Sequence, residues 1–432
     1  MSKHLGMDIR VPIECDNPSI QRDEEKCIKC GQCKNICQDY IGVHGTYTLE
    51  KTGDKAVCIN CGQCANVCPV SSIHETYEYQ LIQEEMKDPD KIIIFNTSPS
   101  VRIALGEEFG MADGSFVEGK MVALLRKLGA RYVLDTNFSA DLTILEEGTE
   151  LIRRLTKQTK PLPQFTSCCP AWVKYLEIYH PDMRDNLSTA KSPIGMQGPT
   201  VKTYFAKKMN LDPTKIVNVA VTPCTAKKYE IRREEMCDAG KYLGIEGMRD
   251  MDYVITTREL GKWAKEENID FASLEDSSFD PLMGEASGAG VIFGNSGGVM
   301  EAAMRTAYKL ITDKEPPPYA LTHLEDVRGM NGVKEATVQL GDDVTLSVAV
   351  VHGGKNTRDF LNTLKESGKH YDFIEVMACP GGCIGGGGQP RTKLPQAVKT
   401  KEARIGGLYE ADANYKWVAS YENPEIQALY KD

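Results

Sequence analysis

The chain has 432 residues, 41% of them hydrophobic and 26% charged, and a formal net charge of −10. That length predicts two or three compact units with buried cores, and the acidic balance argues against nucleic acid or an anionic membrane surface as a partner. The longest apolar runs, 92–95 and 346–351, are far too short to cross a membrane, and residues 1–25 show neither the apolar stretch of a signal peptide nor a twin-arginine pair, so no membrane partner and a cytoplasmic location are expected.

Fifteen cysteines in a reducing compartment point to metal ligation rather than disulfides. After an extension over 1–25, eight of them fall in 26–85. There Cys27-Ile-Lys-Cys-Gly-Gln-Cys-Lys-Asn-Ile-Cys37 returns thirty-one residues later as Cys58-Ile-Asn-Cys-Gly-Gln-Cys-Ala-Asn-Val-Cys68. Two copies of C-x2-C-x2-C-x3-C, the second followed by Pro69, match bacterial ferredoxins, in which the fourth cysteine of each run ligates the other cluster. Cys27, Cys30, Cys33 and Cys68 are therefore expected to hold one 4Fe-4S cubane, and Cys58, Cys61, Cys64 and Cys37 a second. Zinc is the alternative, but zinc sites pair C-x2-C units across a longer loop instead of stacking four ligands so tightly. The expectation for 26–85 is an α+β ferredoxin-like two-cluster domain, which implies electron transfer and leaves the substrate open.

Polar residues 83–90 read as a connector into a large α/β domain over 90–432. Its predicted strands are 91–96, 132–136, 216–221, 346–351 and 373–377, and its predicted helices 118–128, 141–156, 297–311 and 357–367. A C-terminal extension from about 400, without a ligand-type motif, reads as packing. Cys168 and Cys169, Cys224, and Cys379 with Cys383 each follow a short apolar run. Ligands of open α/β sheets collect beyond the carboxyl ends of the strands, so these sites can converge on one cofactor. Cys169, Cys224, Cys379 and Cys383 are the four thiolates a third cubane needs. Cys15 and Cys237 lie outside every cluster and read as incidental thiols.

The segments Thr166-Ser-Cys-Cys-Pro-Ala-Trp172, Thr222-Pro-Cys-Thr-Ala-Lys-Lys-Tyr-Glu230 and Glu375-Val-Met-Ala-Cys-Pro-Gly-Gly-Cys-Ile-Gly-Gly-Gly-Gly-Gln-Pro390 closely resemble the three signature segments of iron-iron (FeFe) hydrogenases. The resemblance covers almost the whole chain, including 290–303 and 423–430. It implies reversible oxidation of molecular hydrogen and reduction of protons at an H-cluster, in which the third cubane is bridged by Cys383 to a diiron unit with CO, CN and azadithiolate ligands. It further implies that Lys227 pairs with a cyanide and that Ser98, Pro99, Met377, Phe293 and Gly294 line the diiron pocket. Cys168 takes the position of a thiol that relays protons, and a path from solvent through Arg154, Glu150, Ser188 and Glu147 to Cys168 follows from the same match. Glu147, Glu150 and Arg154 also share one helix face by spacing. The implied partners are a ferredoxin or flavodoxin-type electron carrier and the maturation proteins that insert the diiron unit.

Three pocket positions depart from the common family pattern: Ala226 stands where Ser is usual, Thr222 where Met is usual, and Ile194 where Gln is common. Such changes alter contacts that tune a metal site, so a shifted rate or catalytic bias is expected. Two other readings compete. A hydrogen sensor would keep the cofactor without turnover, but sensory relatives tend to lose the cysteine that Cys168 matches. An iron–sulfur assembly protein would lack the diiron unit, but such relatives generally lack three intact motifs and a full eight-cysteine domain.

Overall fold

The computed structural model describes residues 9–315, 326–341, 344–392 and 396–432, so the first eight residues of the expected N-terminal extension lie outside the described residues. Among these there are ten strands: β1 (Ile20–Arg22), β2 (Ile73–Glu75), β3 (Ile92–Thr97), β4 (Tyr132–Asp135), β5 (Gln164–Phe165), β6 (Ile216–Thr222), β7 (Tyr253–Thr256), β8 (Val333–Leu340), β9 (Val344–His352) and β10 (Phe373–Met377). The helices of ten residues or more are α1 (Glu118–Lys127), α2 (Thr136–Lys157), α3 (Pro170–Tyr179), α4 (Thr257–Glu266), α5 (Gly298–Thr312), α6 (Gly354–Ser367) and α7 (Ala397–Asn414).

The large domain is a mixed α/β unit built on two four-stranded sheets rather than one. The first has the order β4-β3-β6-β7, all parallel. Its central strands are runs of β-branched residues almost wholly buried, as a parallel strand covered on both faces must be. The second has the order β5-β10-β9-β8, parallel except for β8, which pairs antiparallel with β9. β8 alternates between exposed and buried positions, the pattern of an edge strand with one face in water. Helix α2 starts five residues before its predicted first residue, because the Asp135 carboxylate accepts from Asn137 N at 2.9 Å and caps it.

Residues 83–90 do not form a plain connector. Tyr79–Glu85 is helical, and its Tyr79 and Ile82, three apart on one face, are fully buried, with Tyr79 against Trp263 of α4. In the C-terminal segment, α7 begins at Ala397, shortly before the expected start of the extension at about 400, and runs unbroken through Gly406. Arg305 of α5 binds Asp412 at 2.7 and 2.9 Å, Asn423 binds Asp141 at 2.9 Å, and the Glu425 carboxylate accepts from the backbone of Leu282, Gly284 and Glu285. No helix among the described residues is long and apolar enough to cross a membrane.

The cysteine-rich module repeats in structure as it does in sequence. Lys29 and Asn60 are both left-handed, as are Gly31 and Gly62, and each of these glycines precedes a four-residue helix. Strands β1 and β2 pair antiparallel and tie the ends of the module together. Its second copy is pressed onto the large domain. Thr225 Oγ1 donates to Asn60 O at 2.6 Å and Gln63 Nε2 to Gly385 O at 2.8 Å. A Cβ at Gly387 would stand 2.2 Å from Cys61 O, so only glycine permits this approach.

The strongest tie is ionic. Arg258 at the start of α4 binds Glu75 of β2, and also donates to Gln389 O at 2.6 Å and Gly387 O at 2.5 Å. Burial alone would raise the Glu75 carboxyl, but the Arg258 guanidinium outweighs it and holds the pKa at about 2. With the folded pKa depressed below the ordinary 4.5, the pair's contribution is complete above 4.5 and is lost as pH falls through about 2. Removing one member of a buried pair typically costs about 3–5 kcal/mol. Glu75→Gln is therefore expected to lower the urea midpoint at pH 7, followed by tryptophan fluorescence, and the double variant Glu75→Leu, Arg258→Met to recover much of the loss.

Candidate active site

The two sheets aim the carboxyl ends of four parallel strands at one place. β5 leads into Cys168 and Cys169, β6 into Pro223 and Cys224, β10 into Cys379, and β3 into Ser98 and Pro99. Each strand is pinned by its ladder, so the loop residues just beyond it inherit a fixed position. Cys169 precedes α3, whose first residue Pro170 needs no N–H partner. Cys379 and Cys383 flank a turn in which Gly381 and Gly382 both have positive φ, with Gly382 packed on the backbone of Asn295 and Ser296.

Cys383 feels the charges of Cys224, Cys169 and Cys379, and burial pushes all four thiols up, Cys224 to about 12. Four thiolates cannot gather in such a place without a multivalent cation to share their charge. Among the described residues, no three cysteine, histidine or acidic side chains close on one point as they would round a single ion. The donor set, all sulfur and surrounding a volume, fits an iron–sulfur cubane. In the module, Cys64 feels the charges of Cys58, Cys37 and Cys33, Cys61 those of Cys64 and Cys37, and burial pushes Cys37 up to about 12. Cys33 and Cys68 share the small apolar cluster of the module, and Cys27 reaches Ser72 near Cys68. Cys30 is exposed. After burial, the largest influence on Cys61 is Cys379, which brings the module's second thiol set beside the large domain's set.

Above the thiols lies a largely apolar cavity lined by Cys168, Lys227, Ser98, Pro99, Thr222, Ile194, Phe293 and Met377 together with Cys169, Cys224, Cys379 and Cys383. Two expected pocket residues do not line it. Ala226 opens the short helix after Cys224 and is buried in the core behind the cavity. Gly294 faces Ser100 and Leu408, and its carbonyl accepts from Ile384 N at 3.0 Å, so its smallness serves packing behind the cysteine loop. Sequence reasoning missed Thr136 and Ala140, which the first turns of α2 bring to the cavity without any local motif. It also gave Glu230 no role. That carboxylate accepts from Lys227 Nζ at 2.8 Å and from Ser192 Oγ at 3.0 Å, while Lys227 Nζ also donates to Cys168 O at 3.1 Å. Burial disfavours the ammonium, but the charge of Glu230 overrides it and raises its pKa.

A chain of polar groups leads away from Cys168. Glu147 is fully buried, and neither carboxyl oxygen has a partner at hydrogen-bond distance. Burial raises its pKa to about 8, so the group is predominantly protonated at pH 7. Ser188 Oγ donates to Glu150 Oε2 at 3.0 Å, and Arg154 donates to Glu150 Oε1 at 2.6 Å. Arg154 departs from the expected order, in which it met solvent first. Its guanidinium is fully buried and spent on carbonyl oxygens of Pro161, Asp185 and Leu187. The surface pocket instead reaches Ser188 and Thr189, so Arg154 holds Glu150 in place from behind.

Residues 91–387 match the family model described as iron only hydrogenase large subunit, C-terminal domain; residues 398–432 match iron hydrogenase small subunit, and residues 52–74 match a 4Fe-4S binding domain. The periplasmic Fe hydrogenase large subunit of Nitratidesulfovibrio vulgaris is 46% identical over 90% of this chain and 90% of its own. The NADP-reducing hydrogenase subunit HndD of Solidesulfovibrio fructosivorans is 45% identical over 96% of this chain and 71% of its own. A structure of the FeFe-hydrogenase HydA1 from Chlamydomonas reinhardtii superposes with a TM-score of 0.70 at 38% identity, covering 82% of this chain and 94% of its own. More distantly, a cytosolic iron-sulfur assembly component of Bos taurus is 32% identical over 80% of this chain and 71% of its own. Two thirds of the chain match one family model, over a fold and a thiol set of the same kind, and the chain belongs to the iron-only (FeFe) hydrogenase family, iron–sulfur enzymes that oxidise molecular hydrogen and reduce protons at an H-cluster.

Proposed function

We propose that this chain turns over hydrogen at an H-cluster held by Cys169, Cys224, Cys379 and Cys383, with electrons passing through two cubanes of its own module and protons passing through Cys168. The observation that carries this reading is the opening of four thiols, two buried and two partly buried, together with Cys168 and Lys227, into one apolar cavity at the strand ends. The cofactor supplies the binding and heterolytic splitting of hydrogen, while the protein binds, orients and excludes water. The Glu230-paired Lys227 presents a compact cation to the cavity, suited to a small anionic ligand. Thr222 and Ile194 set its shape, and Thr222 Oγ1 also accepts from Cys224 N at 3.3 Å.

The module's asymmetry supports an order for the electron path. In the second copy Ile59 is 2% exposed and Asn60 1%, because that face is covered by the large domain; in the first copy Ile28 is 62% exposed, and Lys29 and Cys30 are open to solvent. The covered face passes electrons inward toward Cys379, and the open copy of the same face receives them from a ferredoxin or flavodoxin-type carrier. A cytoplasmic setting and insertion of the diiron unit by maturation proteins belong to the same reading. The assembly-protein alternative has distant relatives in its favour, but the cavity with Cys168 and Lys227 beside the thiols suits a diiron unit.

Protein matured with the diiron unit is expected to evolve hydrogen from reduced viologen, and Cys169→Ala to lose that turnover. Carbonyl and cyanide infrared bands without turnover would favour a sensor, and failure to take up the diiron unit the assembly reading. Cys168→Ala and Glu147→Gln are expected to slow evolution by about 10²–10⁴-fold, the usual worth of a positioned proton donor. Because Glu147 must carry a proton to pass one on, evolution should decline as pH rises through about 8. An unchanged alkaline limb in Glu147→Asp would remove Glu147 from the path. Lys29→Glu should raise KM for an acidic ferredoxin, more so at low salt, while viologen-driven rates stay unchanged.

A further inference from the structure

Helix α7 carries two cations toward the large domain's thiol set, and the structure treats them differently. Arg404 is fully engaged. Its guanidinium binds the Glu107 carboxylate at 2.8 and 2.5 Å and donates to Ile384 O at 2.8 Å. Lys401, nearly one turn earlier, is largely shielded from water, yet it makes no hydrogen bond or ion pair among the described residues. The end of its side chain lies over the cysteine loop, where a Cβ built on Gly385 would stand 3.1 Å from Lys401 Cε. Gly385 is two residues beyond Cys383, and its carbonyl oxygen accepts from Gln63, which sits between Cys61 and Cys64 in the module. The Lys401 ammonium and the Cys379 thiol are near enough for each to shift the ionisation of the other.

A shielded ammonium without a counter-ion is costly. No carboxylate among the described residues answers that cost, and this is so beside the place where the module's second thiol set meets the large domain's set. We infer that the counter-charge of Lys401 is the catalytic cubane, and that Lys401 is a fixed positive charge raising that cubane's reduction potential at the junction where electrons arrive. The inference rests on reading Cys169, Cys224, Cys379 and Cys383 as cubane ligands. An electron added to the cubane increases its negative charge, so a nearby cation in a poorly solvated site stabilises the reduced form more than the oxidised one. Arg404 cannot do this to the same degree, because Glu107 already neutralises it. The segment that matches the iron hydrogenase small subunit thus contributes electrostatically to the centre as well as packing against it.

The test is a redox titration, followed by electron paramagnetic resonance, of the full-length chain carrying its 4Fe-4S clusters but no diiron unit. Lys401→Met and Lys401→Gln should lower the reduced-to-oxidised ratio of the catalytic cubane roughly tenfold at a given potential, a shift of about 59 mV for one electron. Lys401→Arg should keep the wild-type potential, and the two module clusters should not move in any variant. An unmoved catalytic cubane in the Met and Gln variants, an Arg variant shifted as far as Met, or an equal shift of all three clusters would overturn the inference. Absence of a third cubane signal in the wild-type protein is a different failure, because it would remove the ligand assignment itself.

Discussion

The constraint on which the rest of this structure depends is the gathering of thiol ligands where water cannot solvate their charge. A buried thiolate is expensive, and several side by side are more expensive still. The raised pKa of Cys224, at about 12, expresses that cost for one member of the set. Iron resolves it by sharing the charge, and the surroundings are arranged to keep water out once it has done so. The two sheets serve this end. Strands β3, β5, β6 and β10 finish at one place, and the ladders behind them fix each cysteine far more firmly than a long loop would.

In the proposed function, electrons and protons approach this centre from different sides, and the two routes are built from different materials. On the electron side the contacts are close and all fall on backbone carbonyls: Gly387 against Cys61 O, Gln63 on Gly385 O, Thr225 on Asn60 O. Close approach matters there because nothing heavier than an electron has to move. On the proton side the groups are side chains with exchangeable hydrogens, namely Cys168, Glu147, Ser188 and Glu150. Glu147 shows how the second route depends on burial. A carboxyl with its two oxygens unpaired in the core stays protonated at neutral pH, so it is a donor where an exposed glutamate would be only an acceptor.

Much of this was legible in the sequence because the chemistry is local there. Cys58-Ile-Asn-Cys61 and Thr222-Pro-Cys224 carry their ligands on short, characteristic spacings, and the long apolar strands announce themselves by β-branched composition. What could not be read was whatever depends on distant segments meeting. Thr136 and Ala140 reach the cavity only because Asp135 caps α2 beside it, and nothing around them looks like a site. The family match places Arg154 at the solvent end of the proton path, but the loop at 185–187 folds over it and supplies carbonyl oxygens that no pattern in α2 reveals. Gly294 invited a pocket role by its motif, and Leu408, more than a hundred residues away, shows why a glycine is needed there. The division of the strands between two sheets was equally hidden, since β5 is two residues long and β7 and β8 gave no distinctive signal.

The C-terminal segment shows how far such distant meetings can go. Read alone, the residues from about 400 carry no ligand motif, and packing was the natural reading. In the fold they are bound to the large domain by buried charges at several points: Arg404 to Glu107, Asp412 to Arg305 and Asn423 to Asp141. Each is a polar contact made in the interior, where an unpaired partner would cost more than the pair contributes. Such contacts do little to increase net stability but fix register strongly, because any shift of α7 along the domain would strand several charges at once. A segment held to a single register can place one further side chain with the precision a cluster demands, and Lys401 is the residue that this register delivers to the cysteine loop.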